Sequence, residues 1–437
     1  MGGAAALEVT PDASRRVPAP VSHGVGPMNQ AAELYVRLAL AVGSHDPDSV
    51  DAYYGPAEWK QEALAAKRPL AEIAREAKSL SADLDSWRDD GGTEMDRRRR
   101  RFLARQLDAL AARAEMLSGK RVSFDEESRA LYDAVAPVRS EDHYRTLRDR
   151  LETELPGAGP LAIRYEAFRQ AFLIPNERLD IVFQASIAAA RERTLQHIEI
   201  PFEESFAVEY VTDRSWSGYN WYQGGYRSLI QVNTDLPIHV DRAIDLACHE
   251  GYPGHHVYNV LIEKKLVRDR GWIEFRIYPL FSPSSLIAEG SANYGIEMAF
   301  PEAERLDFEK SMIYPLAGLD PDSAERYDRV RALAHALAEA GNEAARRLLD
   351  GRIEAKAAAD WLTEYALMAP ARAEQRVRFI EQYRSYVINY NLGKDLVRRS
   401  IEGPGGDSLE RRWKIFEGLL SAPVLPSELA ADSPPPS

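Results

Sequence analysis

The chain of 437 residues carries 68 Asp and Glu against 55 Lys and Arg, a formal net charge of −13, with 45% hydrophobic and 28% charged residues. That length fits one large domain or about three ordinary ones, and the acidic balance excludes a general binder of nucleic acid or of anionic membrane. A single cysteine, Cys248, excludes an intrachain disulfide and points to a reducing, cytoplasmic setting; no stretch reaches the roughly 18 apolar residues of a membrane-spanning helix, and the N-terminus lacks the pattern of a secretion signal.

Residues 1–27, rich in Gly, Pro, Ser and Ala, read as a flexible extension, with the fold beginning near Met28. From Asn29 the pattern is helical (Leu34, Leu38, Leu40) until a break at Gly43 to Pro47. Between Glu58 and Leu117 two or three amphipathic helices are expected, separated near Pro69 and at a hairpin turn from Asp89 to Gly92, with Leu103, Leu107, Leu110 and Leu117 on one face. The basic run Arg97 to Arg101 follows Asp89, Asp90, Glu94 and Asp96, which offset it, and reads as a solvated helix face rather than a nucleic-acid contact.

Further helices are predicted from Glu141 to Glu154 and from Leu161 to Arg193, with a loop over 156–160. Phe206 to Val211 and Ser228 to Asn233 are β-branched and aromatic and predict strands; Trp216 to Gly225 between them mixes turn residues with aromatics. Helical patterning resumes after Pro237 and runs to about Glu402, and the Pro- and Ser-rich residues 422–437 read as a frayed tail. The expected fold is mainly α with a small β-sheet, divided into the extension 1–27, a helical N-terminal region 28–120, a catalytic region 121–402 and a C-terminal segment 403–437.

The chemistry is concentrated in His249-Glu-Gly-Tyr-Pro-Gly-His-His256, which holds three of the nine histidines. Zinc peptidases begin their H-E-x-x-H helix this way: two histidines at i and i+4 grip Zn²⁺ and the intervening Glu acts as base. Here position 253 is Pro, so the second ligand is either His255 or His256, brought in by a Pro-Gly distortion of the helix. Glu289, in the small and apolar run Ser285 to Tyr294, is a buried carboxylate in need of a partner and the candidate third ligand. Two His and one Glu leave a position open for water, the catalytic pattern, with Glu250 as general base. Cys248 reads as core packing. Tyr383, Tyr386 and Tyr390 recur at spacings of three and four and share a helical face. No G-x-S-x-G, Walker or G-x-G-x-x-G motif competes with this site.

These residues resemble the domain of unknown function 885 family, distant relatives of gluzincin metallopeptidases such as the thimet-type oligopeptidases and Taq-type carboxypeptidases. The resemblance spans about residues 120–400 and rests on the 249–256 motif, on Glu289-Gly290, and on Tyr390-Asn-Leu-Gly393 with Arg398; Ser291 departs from it, standing where the family usually carries Trp, which affects pocket shape. It implies a helical gluzincin-like domain with a small sheet beside a metal cleft, and a zinc-dependent hydrolase of a peptide or peptide-like small molecule. His255 becomes the second ligand and His256 a residue behind the ligands or facing substrate. The Tyr390 hydroxyl is implied as donor to the oxyanion, with His256 or Arg398 as substitutes and Glu297 as the substitute third ligand. An edge strand of the sheet would bind extended peptide, with Tyr219, Trp221 and Tyr222 forming pockets. The competing readings are a hydrolase dedicated to one metabolite and a zinc-containing scaffold without turnover. The oligomeric state is not legible.

Overall fold

The computed structural model describes residues 26–87, 92–214, 216–235 and 237–431. The expected extension up to residue 25 and most of the Asp89 to Gly92 turn lie outside them. The described residues form a mainly helical fold with two small sheets.

Helix α1 (Pro27–Gly43) is followed by strand β1 (Val50–Tyr53) and helices α2 (Ala57–Ala66), α3 (Leu70–Ser86) and α4 (Glu94–Leu117), so the Glu58–Leu117 stretch holds three helices. Proline starts α1 where no amide hydrogen is needed. A capping box from Thr93 and Asp96 starts α4. The apolar faces of α1, α3 and α4 close on Leu38, Val42, Ile73, Leu84, Leu103, Leu107 and Leu110, and Ile277 from far along the chain joins this core. The basic run on α4 corrects its expectation at one position: Arg99 is buried, with Nε and Nη2 donating to Glu274 at 2.5 and 3.0 Å. A guanidinium out of water needs such a bidentate carboxylate.

The second and larger core begins with α5 (Phe124–Tyr132), α6 (Glu141–Glu154), α7 (Leu161–Gln170) and α8 (Leu179–Leu195). The expected continuous helix over 161–193 is broken. Pro175 cannot donate to a helical ladder and forces Ile174 extended, where its amide instead bonds to the Ile238 carbonyl.

Next come β2 (Ser205–Val211), β3 (Gly218–Gly224) and β4 (Arg227–Asn233), in the spatial order β2-β4-β3. β2 lies parallel to β4, pairing Ser205 with Arg227, and β3 is antiparallel, pairing Trp221 with Leu229. β2 and β4 match the predicted runs. β3 is a strand where turn residues and aromatics are expected, because its glycines, Asn220 and Gln223 hide the strand pattern.

Then follow α9 (Val240–Leu246), α10 (His255–Ile262), β5 (Ile277–Pro279), which pairs antiparallel with β1, and α11 (Pro283–Ala299). The remainder is α12 (Glu302–Phe308), α13 (Tyr314–Ala317), α14 (Ala324–Ala336), α15 (Ala340–Leu349), α16 (Ala355–Tyr365), α17 (Pro370–Tyr383), α18 (Ile388–Gly405), α19 (Leu409–Leu420) and α20 (Pro426–Ala431). The expected frayed tail is corrected over 422–431: Val424, Leu425 and Leu429 are buried, while 432–437 lie outside the described residues. Among the described residues no helix is long and apolar enough to cross a membrane.

Candidate metal and catalytic site

The histidine motif begins on the helix that α9 starts, but Ala247–Gly251 winds as a wider π turn, with the Tyr252 amide reaching back to the Ala247 carbonyl at 3.1 Å. A cis Tyr252-Pro253 bond and Gly254 then fold the chain tightly back before α10 starts at His255. Gly254 has no substitute here, since a Cβ would lie 2.0 Å from the His249 carbonyl oxygen and 2.3 Å from that of Cys248. The consequence is that His249 and His255, six apart in sequence, stand with ring centres 4.7 Å apart and planes perpendicular.

Glu289 reaches the same point from α11. Its Oε2 lies 3.3 Å from His249 Nε2 and its Oε1 3.8 Å from His255 Nε2, and one donor atom from each of the three residues falls within 4.8 Å of the others. Tyr386 donates to Glu289 Oε1 at 2.7 Å, whereas Oε2 is buried without a hydrogen-bond partner among the described residues. Leaving a buried carboxylate oxygen bare is costly, and this carboxylate with the His249 and His255 imidazoles facing its two oxygens makes an N, N, O donor set suited to a divalent transition metal. The three residues thus fit a zinc ion. Burial pushes His255 down to about 4, which keeps the ring neutral, the form that ligates metals.

Glu250 is buried beside this triad. Burial pushes its carboxyl up to about 7, with His249 opposing and Glu289 and Asp51 adding to the shift. Edge strand β3 covers it: Asn220 Nδ2 donates to the Glu250 carbonyl at 2.7 Å, and a Cβ on Gly218 would come within 3.0 Å of Glu250 Oε1. On the far side α11 and α18 touch backbone to backbone, since a Cβ on Gly290 would lie 2.4 Å from the Gly393 carbonyl carbon and one on Gly393 2.7 Å from the Leu286 oxygen. This contact brings the tyrosines to Glu289. Tyr386 sits on the short turn Arg384–Val387, which buried Glu127 of α5 anchors by accepting from the Ser385 amide, the Ser385 hydroxyl and Arg384 Nε at 3.1, 2.7 and 2.7 Å. Tyr390 is half-buried 5.7 Å from the Tyr386 ring, and its hydroxyl has no hydrogen-bond partner among the described residues. Burial, and then the charge of Glu289, holds that hydroxyl well above its ordinary pKa, so it stays a donor.

Several expectations are redirected. His256, anticipated as a possible substrate-facing group, is fully buried and points away, Nδ1 to the Ser228 hydroxyl and Nε2 to Glu204, both at 2.9 Å. Tyr252 donates to the same Glu204 oxygen at 2.6 Å and Arg191 to the other at 2.7 Å. Burial works against the Glu204 charge, but these hydrogen bonds outweigh it and lower the carboxyl to about 2. The substitutes Glu297 and Arg398 are paired with one another at 2.5 and 2.7 Å, with Lys394 joining at 2.6 Å, and are thereby withdrawn from the site. Tyr222 is buried and donates to buried Glu263 at 2.5 Å; Trp221 is 45% exposed on β3, and Tyr219 turns to Asp51. Ser291 is buried and donates to the Ala288 carbonyl. Cys248 is buried, and burial pushes its thiol up. Sequence reasoning missed the roles of Tyr386 and Asn220; the stripe spacing named Tyr386 without marking it as the partner of Glu289.

No family model and no curated protein matches the chain. Among solved structures it is similar to a Colwellia psychrerythraea protein provisionally named a lipoprotein, at 13% identity over 93% of this chain and 98% of that one, with a TM-score of 0.60. Looser likenesses are to a Shewanella oneidensis protein provisionally named a lipoprotein of unknown function (11% identity, 92% and 82% covered, TM-score 0.48) and to the M32 carboxypeptidase of Deinococcus radiodurans R1 (15%, 92% and 94%, 0.39). At such identities the likeness is one of fold, carried by the first.

Proposed function

We propose that the chain is a zinc-dependent hydrolase of peptide or amide bonds, with His249, His255 and Glu289 as metal ligands and Glu250 as general base. The observation that carries this reading is a buried Glu289 carboxylate with His249 against its bare Oε2 and His255 against its Oε1, next to a second buried carboxylate that belongs to no ion pair among the described residues. Bound there, Zn²⁺ supplies Lewis-acid activation of water and of the scissile carbonyl. Glu250 takes a proton from the attacking water and passes it to the leaving nitrogen as the C–N bond breaks. Tyr390 donates a hydrogen bond to the carbonyl oxygen as negative charge develops on it. Tyr386 holds Glu289, and β3 offers its edge to extended substrate backbone, with Trp221 alongside.

A zinc scaffold without turnover would leave Glu250 without a task. The same reading includes membership of the family that the 249–256 motif resembles, the division of the chain near residues 28, 120 and 402, and action in the cytoplasm, supported by the lone buried thiol. Its test is elemental analysis after zinc-supplemented expression together with mass spectrometry of a peptide-mixture digest, with and without a chelator. About one zinc per chain and chelator-sensitive cleavage are expected; protein free of transition metal removes the mechanism.

A further inference from the structure

Charged groups around the cleft are sorted by sign. At one end stands Asp51, half-buried on β1, a strand that the N-terminal helices deliver to the cleft by pairing with β5. It accepts a hydrogen bond from Tyr219, whose neighbours on β3 are Asn220, bonded to the Glu250 carbonyl, and Gly218, where a Cβ would lie 3.0 Å from Glu250 Oε1. Trp216 and Trp221 lie 5.5 and 4.7 Å from the Tyr219 ring. No cation pairs with Asp51 among the described residues. Burial pushes its carboxyl up to about 6, Tyr219 opposing and Glu289 and Asp48 adding to the shift. A carboxylate with aromatic faces beside it is a receptor for an ammonium group.

At the other end α17 carries Arg372 and Arg376 one turn apart, and neither has a hydrogen-bond or ion-pair partner among the described residues. The Arg376 guanidinium is half-buried, 4.6 Å over Phe379 and 5.9 Å from the Tyr390 ring centre. Burial and the neighbouring Arg372 depress its pKa, with Tyr390 opposing them. Arg372 is exposed to water, but the half-buried Arg376 guanidinium, left without a carboxylate among the described residues of a chain with 68 acidic residues, suits an anion from outside.

Helix α17 also reaches the acidic end. Gln382, six residues and so about 9 Å along the helix from Arg376, donates to Asp48 at 2.8 Å, three residues before Asp51. The Tyr390 ring, 5.9 Å from the Arg376 guanidinium, lies 5.7 Å from that of Tyr386, which donates to Glu289, while Asp51 holds Tyr219 next to the Asn220 that bonds Glu250. An extended peptide advances at most about 3.3–3.6 Å per residue, so receptors tied this closely to the triad on both sides suit a short peptide.

Building on the hydrolase reading, we propose that the substrate is a zwitterionic di- or tripeptide, its free ammonium received by Asp51 and its free carboxylate by Arg376 with Arg372, which places the scissile amide at the triad. The test uses alanyl-alanine and trialanine, each free, N-acetylated or C-amidated, on the zinc-loaded protein. Each cap is expected to lower kcat/KM at least tenfold, the scale of one charge-assisted contact. Asp51→Asn is expected to erase the acetyl penalty to within about threefold while keeping the amide penalty, and the double variant Arg372→Gln/Arg376→Gln to do the reverse; a merely structural role would depress all substrates alike. Caps without effect, or penalties that survive in these variants, overturn the proposal. Calorimetric binding of the same peptides to zinc-loaded Glu250→Gln separates the two readings. The same cap pattern there supports the substrate assignment even if no peptide is cleaved, whereas equal binding of free and capped peptides overturns it.

Discussion

His255 and His256 are neighbours in the chain and end in polar clusters of opposite character. His256 is closed in: Ser228 and Glu204 take both ring nitrogens, and Tyr252 and Arg191 complete Glu204. His255 faces Glu289 across 3.8 Å, in a cluster that leaves a buried carboxylate oxygen bare. A buried polar network that serves the fold satisfies its members. One that stays open is built to receive something else, and its unmet hydrogen bonds show where.

The comparison breaks most visibly at the open cluster. Glu250→Gln is expected to keep its zinc and its melting temperature while kcat falls by roughly 10³ or more, since the amide preserves shape but accepts no proton; an amide variant close to wild type in stopped-flow or endpoint assays would take the base role away from Glu250. His255→Ala is expected to lose most of the bound zinc by elemental analysis, and His256→Ala to retain it, which assigns ligand and support directly. Tyr390→Phe is expected to reduce kcat by about 10²–10³ with little change in KM or melting temperature, the signature of a contact made only at the transition state. Full activity in that variant would mark Tyr390 as packing.

The closed cluster is sharpened by stability measurements. His256→Ala strips one partner from a buried carboxylate and is expected to cost about 3–5 kcal/mol in urea unfolding. The smallest effect is acid sensitivity. Because the folded Glu204 carboxyl is lowered to about 2 from an ordinary value near 4.5, its contribution is complete above about pH 4.5 and is lost as pH falls toward 2. Glu204→Gln is expected to flatten that part of the stability profile, and an unchanged acid limb would deny the cluster its role.

How much of this was legible depended on whether the signal was local. The helix Glu141–Glu154 was read to the residue, because Ser140 caps it and the apolar spacing is regular. The strands around 206–211 and 228–233 announced themselves by β-branched and aromatic residues. β3 did not, since its identity as an edge strand comes from pairing with β4 rather than from its own glycines and amides. At the site, His249, Glu250, His255 and Glu289 stand in motifs of a few residues. Asp51 and Arg376 belong to none; tertiary structure alone brings a strand from before residue 54 and a helix from after 369 to one cleft. For His256 the sequence left two roles open, behind the ligands or facing substrate, because adjacent histidines look alike until the π turn and Gly254 set their directions apart.

The glycine contact between α11 and α18 makes the site a gauge with no slack. Glu289 precedes Gly290, and Tyr390 lies three residues before Gly393, so the spacing of carboxylate and hydroxyl is set by the thickness of two bare backbones. One methyl at position 393 would wedge the helices apart and carry the tyrosine off its mark while every reacting group stayed chemically intact. Such a lesion is invisible to any inventory of catalytic side chains. It would surface in an evolving lineage as a protein that folds, charges with metal and works slowly.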